Sequence, residues 1–192
     1  MTTAALVMKL GGSLAASPLL QRWLDAGVAC AGRIVLVPGG GPFADTVRAT
    51  QRALGFDDAT AHAMALLAMA QYGLFLASRN AALLPAETPE AIADALRARR
   101  VPVWLPPRTL GPADGVPASW DATSDSLALW LAARIGAPAL LLVKSRSDGA
   151  DLLDAAFAGL RPGYAGRIYV AGPEHLPRDG LDPLHPPGVM LP

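Results

Sequence analysis

Strand-like and helix-like segments alternate along most of this chain, and the alternation predicts an α/β fold, a three-layer αβα sandwich around a central, mainly parallel sheet. Two further observations point the same way. The strand candidates are continuous apolar runs, as strands covered on both faces require. Two of them also run straight into glycine clusters. With 52% of its 192 residues hydrophobic and 17% charged, the chain has ample material for the core of one domain.

Residues 4–10 read as a buried strand ended by Gly11-Gly12. Ser17-Pro18 supplies an N-cap and a first-turn proline for a helix with Leu19, Leu20, Trp23 and Leu24 at helical spacing, ending near Gly27 or Gly32. Residues 33–37 form a second buried strand, broken by Gly39-Gly40-Gly41-Pro42 before a helix over 43–54. Asp57 and Asp58 open a long helix to about Leu84, apolar nearly all round and therefore in need of cover on more than one side. Thr88-Pro89-Glu90 starts a helix to Arg100, with Arg97-Ala98-Arg99-Arg100 as its solvated last turn, where cations suit the helix dipole. A strand over 101–105, a loop over 106–118, a helix over 124–135 capped by Thr123, a strand over 138–143, a short helix over 151–157 and a strand over 167–170 complete the pattern. Residues 1–172 make one domain; residues 173–192, with six prolines and little periodicity, read as a loop-like tail.

The formal net charge is zero and no Lys/Arg run stands on any segment, so neither nucleic acid nor an anionic membrane is expected as a partner. The longest apolar stretch, residues 61–77, is short for a membrane span and is interrupted by His62, Gln71 and Tyr72. The single cysteine, Cys30, permits no internal disulfide and reads as a packing residue; the first residues carry no leader pattern. A cytoplasmic protein is expected.

Four clusters carry chemistry. In Lys9-Leu10-Gly11-Gly12-Ser13 a strand delivers a fixed cation beside two glycines whose amides can approach an anion. Gly39-Gly40-Gly41 forms a second such turn, and both would open at the carboxyl edge of a parallel sheet, where these folds bind ligands. Each alone also reads as a plain tight turn. Gly39, Gly41 and Ala44 match a dinucleotide fingerprint with Asp57 or Asp58 as the ribose acid, but those aspartates open a helix where that acid should end a strand. The third cluster is Trp120-Asp121-Ala122-Thr123-Ser124-Asp125-Ser126, where one carboxylate suffices for capping and a second is free to orient a cation or an incoming hydroxyl. In the fourth, a strand delivers Lys144 and Arg146 before the Asp148-Gly149 turn; these are either cations for phosphates or exposed turn residues.

Lys9-Leu10-Gly11-Gly12-Ser13, then Gly39-Gly40-Gly41, then Thr123-Ser124-Asp125-Ser126, then Asp148-Gly149 resemble, in order and spacing, the motifs of the amino-acid kinase superfamily over about residues 4–171. The Thr-Ser-Asp-Ser form is similar to uridylate kinases. The short length and the Trp120–Ser126 cluster resemble the aminomethyl-furanmethanol phosphate kinases of methanofuran biosynthesis and their relatives in one-carbon metabolism. The resemblance implies an ATP-dependent small-molecule kinase with a phosphomonoester among its candidate acceptors. It implies that Lys9 stabilises the transferring group, Asp125 holds Lys9 and a second cation, and Lys144 or Arg146 is that cation. Gly11, Gly12, Ser13, Gly39, Gly40, Gly41, Thr123, Ser124, Arg146, Asp148 and Gly149 would line the nucleotide and phosphates. Mg²⁺ would ride on the ATP, with no resident metal site. Residues 1–136 become the acceptor and phosphate-binding part and 137–172 a short nucleotide lobe. Many family members carry a further Gly-Gly-Met segment with a lysine that this chain lacks, and 43 residues follow Gly149. The alternative is a non-catalytic ligand-binding or assembly protein on the same fold. The long apolar helix also predicts a homo-oligomer, most simply a two-fold dimer, through residues 58–84.

Overall fold

The computed structural model describes residues 4–107, 110–147, 152–178 and 180–192. In chain order the elements are β1 (Leu6–Leu10), α1 (Leu19–Val28), β2 (Ile34–Pro38), α2 (Gly41–Leu54), α3 (Asp58–Ser78), β3 (Leu83–Ala86), α4 (Pro89–Arg97), β4 (Val101–Trp104), α5 (Ser124–Arg134), β5 (Ala139–Val143), α6 (Phe157–Leu160), β6 (Arg167–Ala171) and β7 (Val189–Met190). The strands form one sheet in the order β3-β4-β2-β1-β5-β6-β7, parallel except for β7 against β6. β1, β2 and β5 are buried along their whole length, as their unbroken apolar runs require.

Alternate residues of β1 face opposite layers. Leu6, Met8 and Leu10 pack with Leu20, Trp23 and Leu24 of α1. Val7 belongs to the other layer, with Leu127 and Leu131 of α5 and with Ile92 and Leu96 of α4. The helix α3 serves both, giving Tyr72 and Leu76 to the first cluster and Leu66 and Met69 to the second. Gly73 lets α3 lie close to the sheet: a Cβ there would stand 2.5 Å from the Leu105 side chain.

Register sets the working edge. Leu10 pairs with Pro38 on one side and with Val143 on the other, so Gly11, Gly39 and Lys144 leave three adjacent strands at the same level. From β1 the chain first builds one side of the sheet and then returns for β5 on the other. The crevice outside β1 is therefore a topological switch point, where ligands of open α/β sheets bind.

The long helix ends at Ser78, short of the expected Leu84, and the missing piece is the edge strand β3. Asn80 makes the break: its side chain accepts from Ala82 N at 2.8 Å and its carbonyl from Leu83 N at 3.0 Å. Pro85 is tolerated because β3 pairs with β4 alone. The helix expected to reach Arg100 ends at Arg97, with Arg99 at φ 54° turning the chain into β4. The short helix expected over 151–157 begins only at Phe157. The segment after residue 172 adds β7 to the sheet edge, and Leu176 and Leu181 are buried beside α1. Cys30 packs there, its thiol donating to Leu181 O at 3.1 Å.

Candidate phosphate site

Lys9 shares the Val7 face of β1 and so points toward α5, whose first turn carries Asp125. Its Nζ stands 2.8 Å from Asp125 Oδ1, and Lys144 Nζ, arriving from the end of β5, stands 2.5 Å from Oδ2. Lys9 and Asp125 are each 4% exposed. These are the only two lysines in the chain, and both end on one buried carboxylate. Of the two cations left open by the sequence, Lys144 is the one on Asp125, while Arg146 is exposed.

Burial pushes the Asp125 carboxyl up, but Lys9 and Lys144 outweigh it and hold the group below its ordinary value. Burial, then Lys9, push the Lys144 ammonium below its ordinary value, and Asp125 pulls it only partly back. An anion saturated by two cations is a poor general base. Its chemistry is to hold two ammonium groups side by side, an arrangement suited to the crowded negative charge of phosphates.

The two glycine turns meet beside this cluster, backbone against backbone. A Cβ on Gly12 would fall 2.4 Å from Gly41 N, and one on Gly39 would fall 2.3 Å from Gly12 N. Gly41 has φ +55°, and a Cβ there would press on the Tyr72 ring at 3.0 Å. Gly39 N bonds to Leu10 O and Gly11 N to Val143 O, which fixes the turns to the sheet. Gly40 is the N-cap of α2, so the first amides of that helix have no intrahelical acceptor and face the crevice with the positive end of its dipole. Ser13 Oγ donates to Ser145 Oγ at 2.8 Å, tying the first turn to the exit of β5. Asp57 caps α3 by accepting from Thr60 N at 2.7 Å, and Asp58, the first residue of that helix, accepts from Gln51 Nε2 at 2.8 Å, so neither ends a strand as the ribose acid should.

Thr123 stands at the α5 N-cap position without capping the helix itself, a correction to the sequence expectation. The cap comes from Asp154, which accepts from Thr123 N (2.8 Å), Thr123 Oγ1 (2.8 Å), Ser126 N (3.0 Å) and Ser126 Oγ. That engagement explains why the chain around Asp154 stays out of a helix until Phe157. Asp148 and Gly149 lie outside the described residues.

Two cavities meet at the start of α5. One, of about 260 Å³, is lined by Gly12, Ser13, Gly40, Gly41 and Ser124, and by His62, Asp45, Arg48 and Trp120. The other, of about 540 Å³, holds Asp125, Lys144 and Asp154. Neither Arg48 nor His62 stands in any of the four motif clusters. Arg48 lies over the Trp120 ring at 4.2 Å and within 3.3 Å of Asp45; Trp120 Nε1 donates to Gln51 Oε1 at 2.6 Å. His62 Nε2 stands 3.0 Å from Leu110 O, which can only accept, so that nitrogen carries the hydrogen. Signals existed: Arg48 is one turn on from Ala44 and Asp45 on α2, and His62 is a polar interruption in an apolar helix.

A profile described as the amino acid kinase family matches residues 4–149. The chain is similar to [5-(aminomethyl)furan-3-yl]methyl phosphate kinase of Methanocaldococcus jannaschii, 31% identical over 127 residues, which span 65% of this chain and 58% of that relative. Among solved structures it resembles uridylate kinase of Archaeoglobus fulgidus (TM-score 0.66, 16% identity, 86% of this chain and 89% of that one). It also resembles UMP kinase of Ureaplasma parvum (0.67, 15%, 92% of each) and an isopentenyl phosphate kinase (0.57, 16%, 97% and 99%). At these identities the structural likeness is one of fold.

Proposed function

Because the chain belongs to the amino acid kinase family, we propose that it is a phosphotransferase that uses ATP to phosphorylate a small phosphomonoester. The observation that carries the reading is the pair of lysines on one buried aspartate, set where two glycine turns meet. Mg-ATP, when bound, supplies the γ-phosphoryl group that an oxygen of the acceptor takes, with release of ADP. Lys9 and Lys144 neutralise charge on the groups that approach and leave. Asp125 holds the two ammonium groups at fixed positions, and the glycine-turn amides orient phosphate oxygens. Glycine is required at Gly12 and Gly39 for the two turns to touch backbone to backbone, and that contact sets Gly12, Gly40 and Gly41 in the wall of the smaller cavity.

The smaller cavity is the acceptor side. It offers a guanidinium, a carboxylate and an indole face in Arg48, Asp45 and Trp120. That set suits a small aromatic phosphomonoester with a cationic arm, the chemistry in the name of the Methanocaldococcus relative. The reading includes a role in methanofuran and one-carbon cofactor biosynthesis in the cytoplasm, and a two-fold homodimer through the outer face of α3.

The test incubates the purified chain with Mg-ATP and [5-(aminomethyl)furan-3-yl]methyl phosphate, UMP or isopentenyl phosphate, and follows ³¹P NMR. A diphosphate product from the furan phosphate alone is expected. Absence of ADP and product with every acceptor sinks the kinase reading. The carboxylate saturated by two cations, a poor general base, also suits a second reading, a ligand-binding protein on the same fold. A melting temperature raised by Mg-ATP without any turnover would select it.

A further inference from the structure

We propose that Asp154 is a positioning residue for the lysine–aspartate cluster, setting where Asp125 stands between Lys9 and Lys144. Both its oxygens are used. Oδ2 accepts from Thr123 N, Thr123 Oγ1 and Ser126 N, and Oδ1 from Ser126 Oγ. These donors flank Asp125 on either side along the chain, so the carboxylate grips the turn that carries it. An ordinary cap needs one or two such bonds and draws them from the residue before the helix. Here Thr123 occupies that place, makes no cap of its own, and spends its hydroxyl on a residue 31 positions away. A second clasp, Ala156 N to Asp121 O at 2.8 Å, holds the same segment to the approach to α5.

The segment is also placed for the chemistry. Asp154 lines the cavity that holds Asp125 and Lys144, and Leu152 and Leu153 line both that cavity and a neighbouring one of about 340 Å³ along β6 and β7. Among the described residues, the charged groups that act on Lys144 are Lys9 from β1, Asp125 from α5 and Asp154 from the segment after β5. Asp154 is thus a mechanical anchor for one anion and an electrostatic neighbour of one cation. Removing its charge should loosen the first and lower the proton affinity of the second.

The kinetic consequence rests on the phosphotransferase reading, but the central test does not. With two lysines in the chain, ¹³C-lysine labelling gives two side-chain Cε signals, assigned through Lys9→Arg and Lys144→Arg. In Asp154→Asn, folded by circular dichroism, the Lys144 midpoint should fall by about half a pH unit or more. With the furan phosphate as acceptor, kcat should fall by about tenfold or more while the acceptor KM stays within about threefold. Asp154→Glu should recover part of both. Thr123→Val keeps the carboxylate and removes one donor. It should lower kcat with a smaller change in midpoint, and it stands in if the Asn variant does not fold. An unchanged Lys144 midpoint in the Asn variant, or wild-type kcat in both variants, overturns the proposal. An inactive wild-type protein refutes the phosphotransferase reading and leaves the NMR titration to judge Asp154.

Discussion

Asp125 faces two ammonium groups at 2.8 and 2.5 Å inside the fold, and that geometry sets what its replacement does. Asp125→Asn leaves the buried Lys9 and the part-buried Lys144 without a counter-charge, a loss on the order of 3–5 kcal/mol of stability in comparable buried pairs. Denaturant unfolding should show that loss together with loss of turnover. Lys9→Ala removes one cation and leaves Asp125 paired with Lys144, so it should fold and lose about two to three orders of magnitude in kcat. A folded variant within tenfold of wild type removes Lys9 from the chemistry. The pH dependence follows from the two depressed groups. Asp125 titrates below its unfolded value near 4, so its contribution to stability is complete above that value and fades as pH falls through the folded one. Lys144 titrates below its unfolded value near 10.4, so in that window the unfolded chain binds more protons and this group's contribution to stability rises with pH. Activity that needs its ammonium falls over the same window. Rate and melting temperature measured side by side from pH 7 to 10 should therefore diverge; a flat rate across the range would separate Lys144 from catalysis.

At the scale of elements, α3 is the informative one. It is long and apolar enough to cross a membrane by length and composition, yet its buried side serves both layers of the core. The large apolar side chains left outside are Leu67 (41% exposed), Leu74 (52%) and Phe75 (39%), with Leu67 about two turns from the other two. Light scattering coupled to size exclusion should give twice the 19.8 kDa chain mass, and Leu67→Glu with Leu74→Glu should return the monomer. A monomer in the unmodified chain rejects the pairing. The same helix shows where sequence reading runs out. Its apolar run is interrupted by Ser78-Arg79-Asn80 before it resumes through Ala81, Ala82, Leu83 and Leu84, and the turn at Asn80 separates helix from strand. The buried strands were legible because burial on both faces leaves an unbroken apolar run. β3, half exposed at an edge and with proline as its third residue, carries no such mark.

For the molecule as a whole, the sheet order lies beyond sequence patterning, yet it gathers the clusters into one crevice. Three of them follow β1, β2 and β5 directly, so their chemistry could be read from local sequence. Long-range partnerships could not: Asp154 reaches α5 from 31 residues beyond Thr123, and Arg48 meets Trp120 from another element. The side proposed for the nucleotide borders β7 of the proline-rich tail, where the cavity is lined mainly by apolar residues, with Ser147, Glu174 and His175 as its polar groups. Calorimetry with a non-hydrolysable ATP analogue should accordingly give a dissociation constant above about 1 μM, weaker than about −8 kcal/mol. Sub-micromolar binding would refute that expectation.

Apart from the α-amino group, this protein presents almost no amine to its surroundings, because its two lysines are spent on one interior carboxylate and arginines carry the rest of the positive charge. An endoprotease that cuts only after lysine therefore has one part-exposed target, Lys144, and one buried target, Lys9. The cut beside Lys9 records the opening of the crevice itself. The rate of that cut, with and without Mg-ATP, is a clock for how often the site comes apart and how firmly a nucleotide holds it shut.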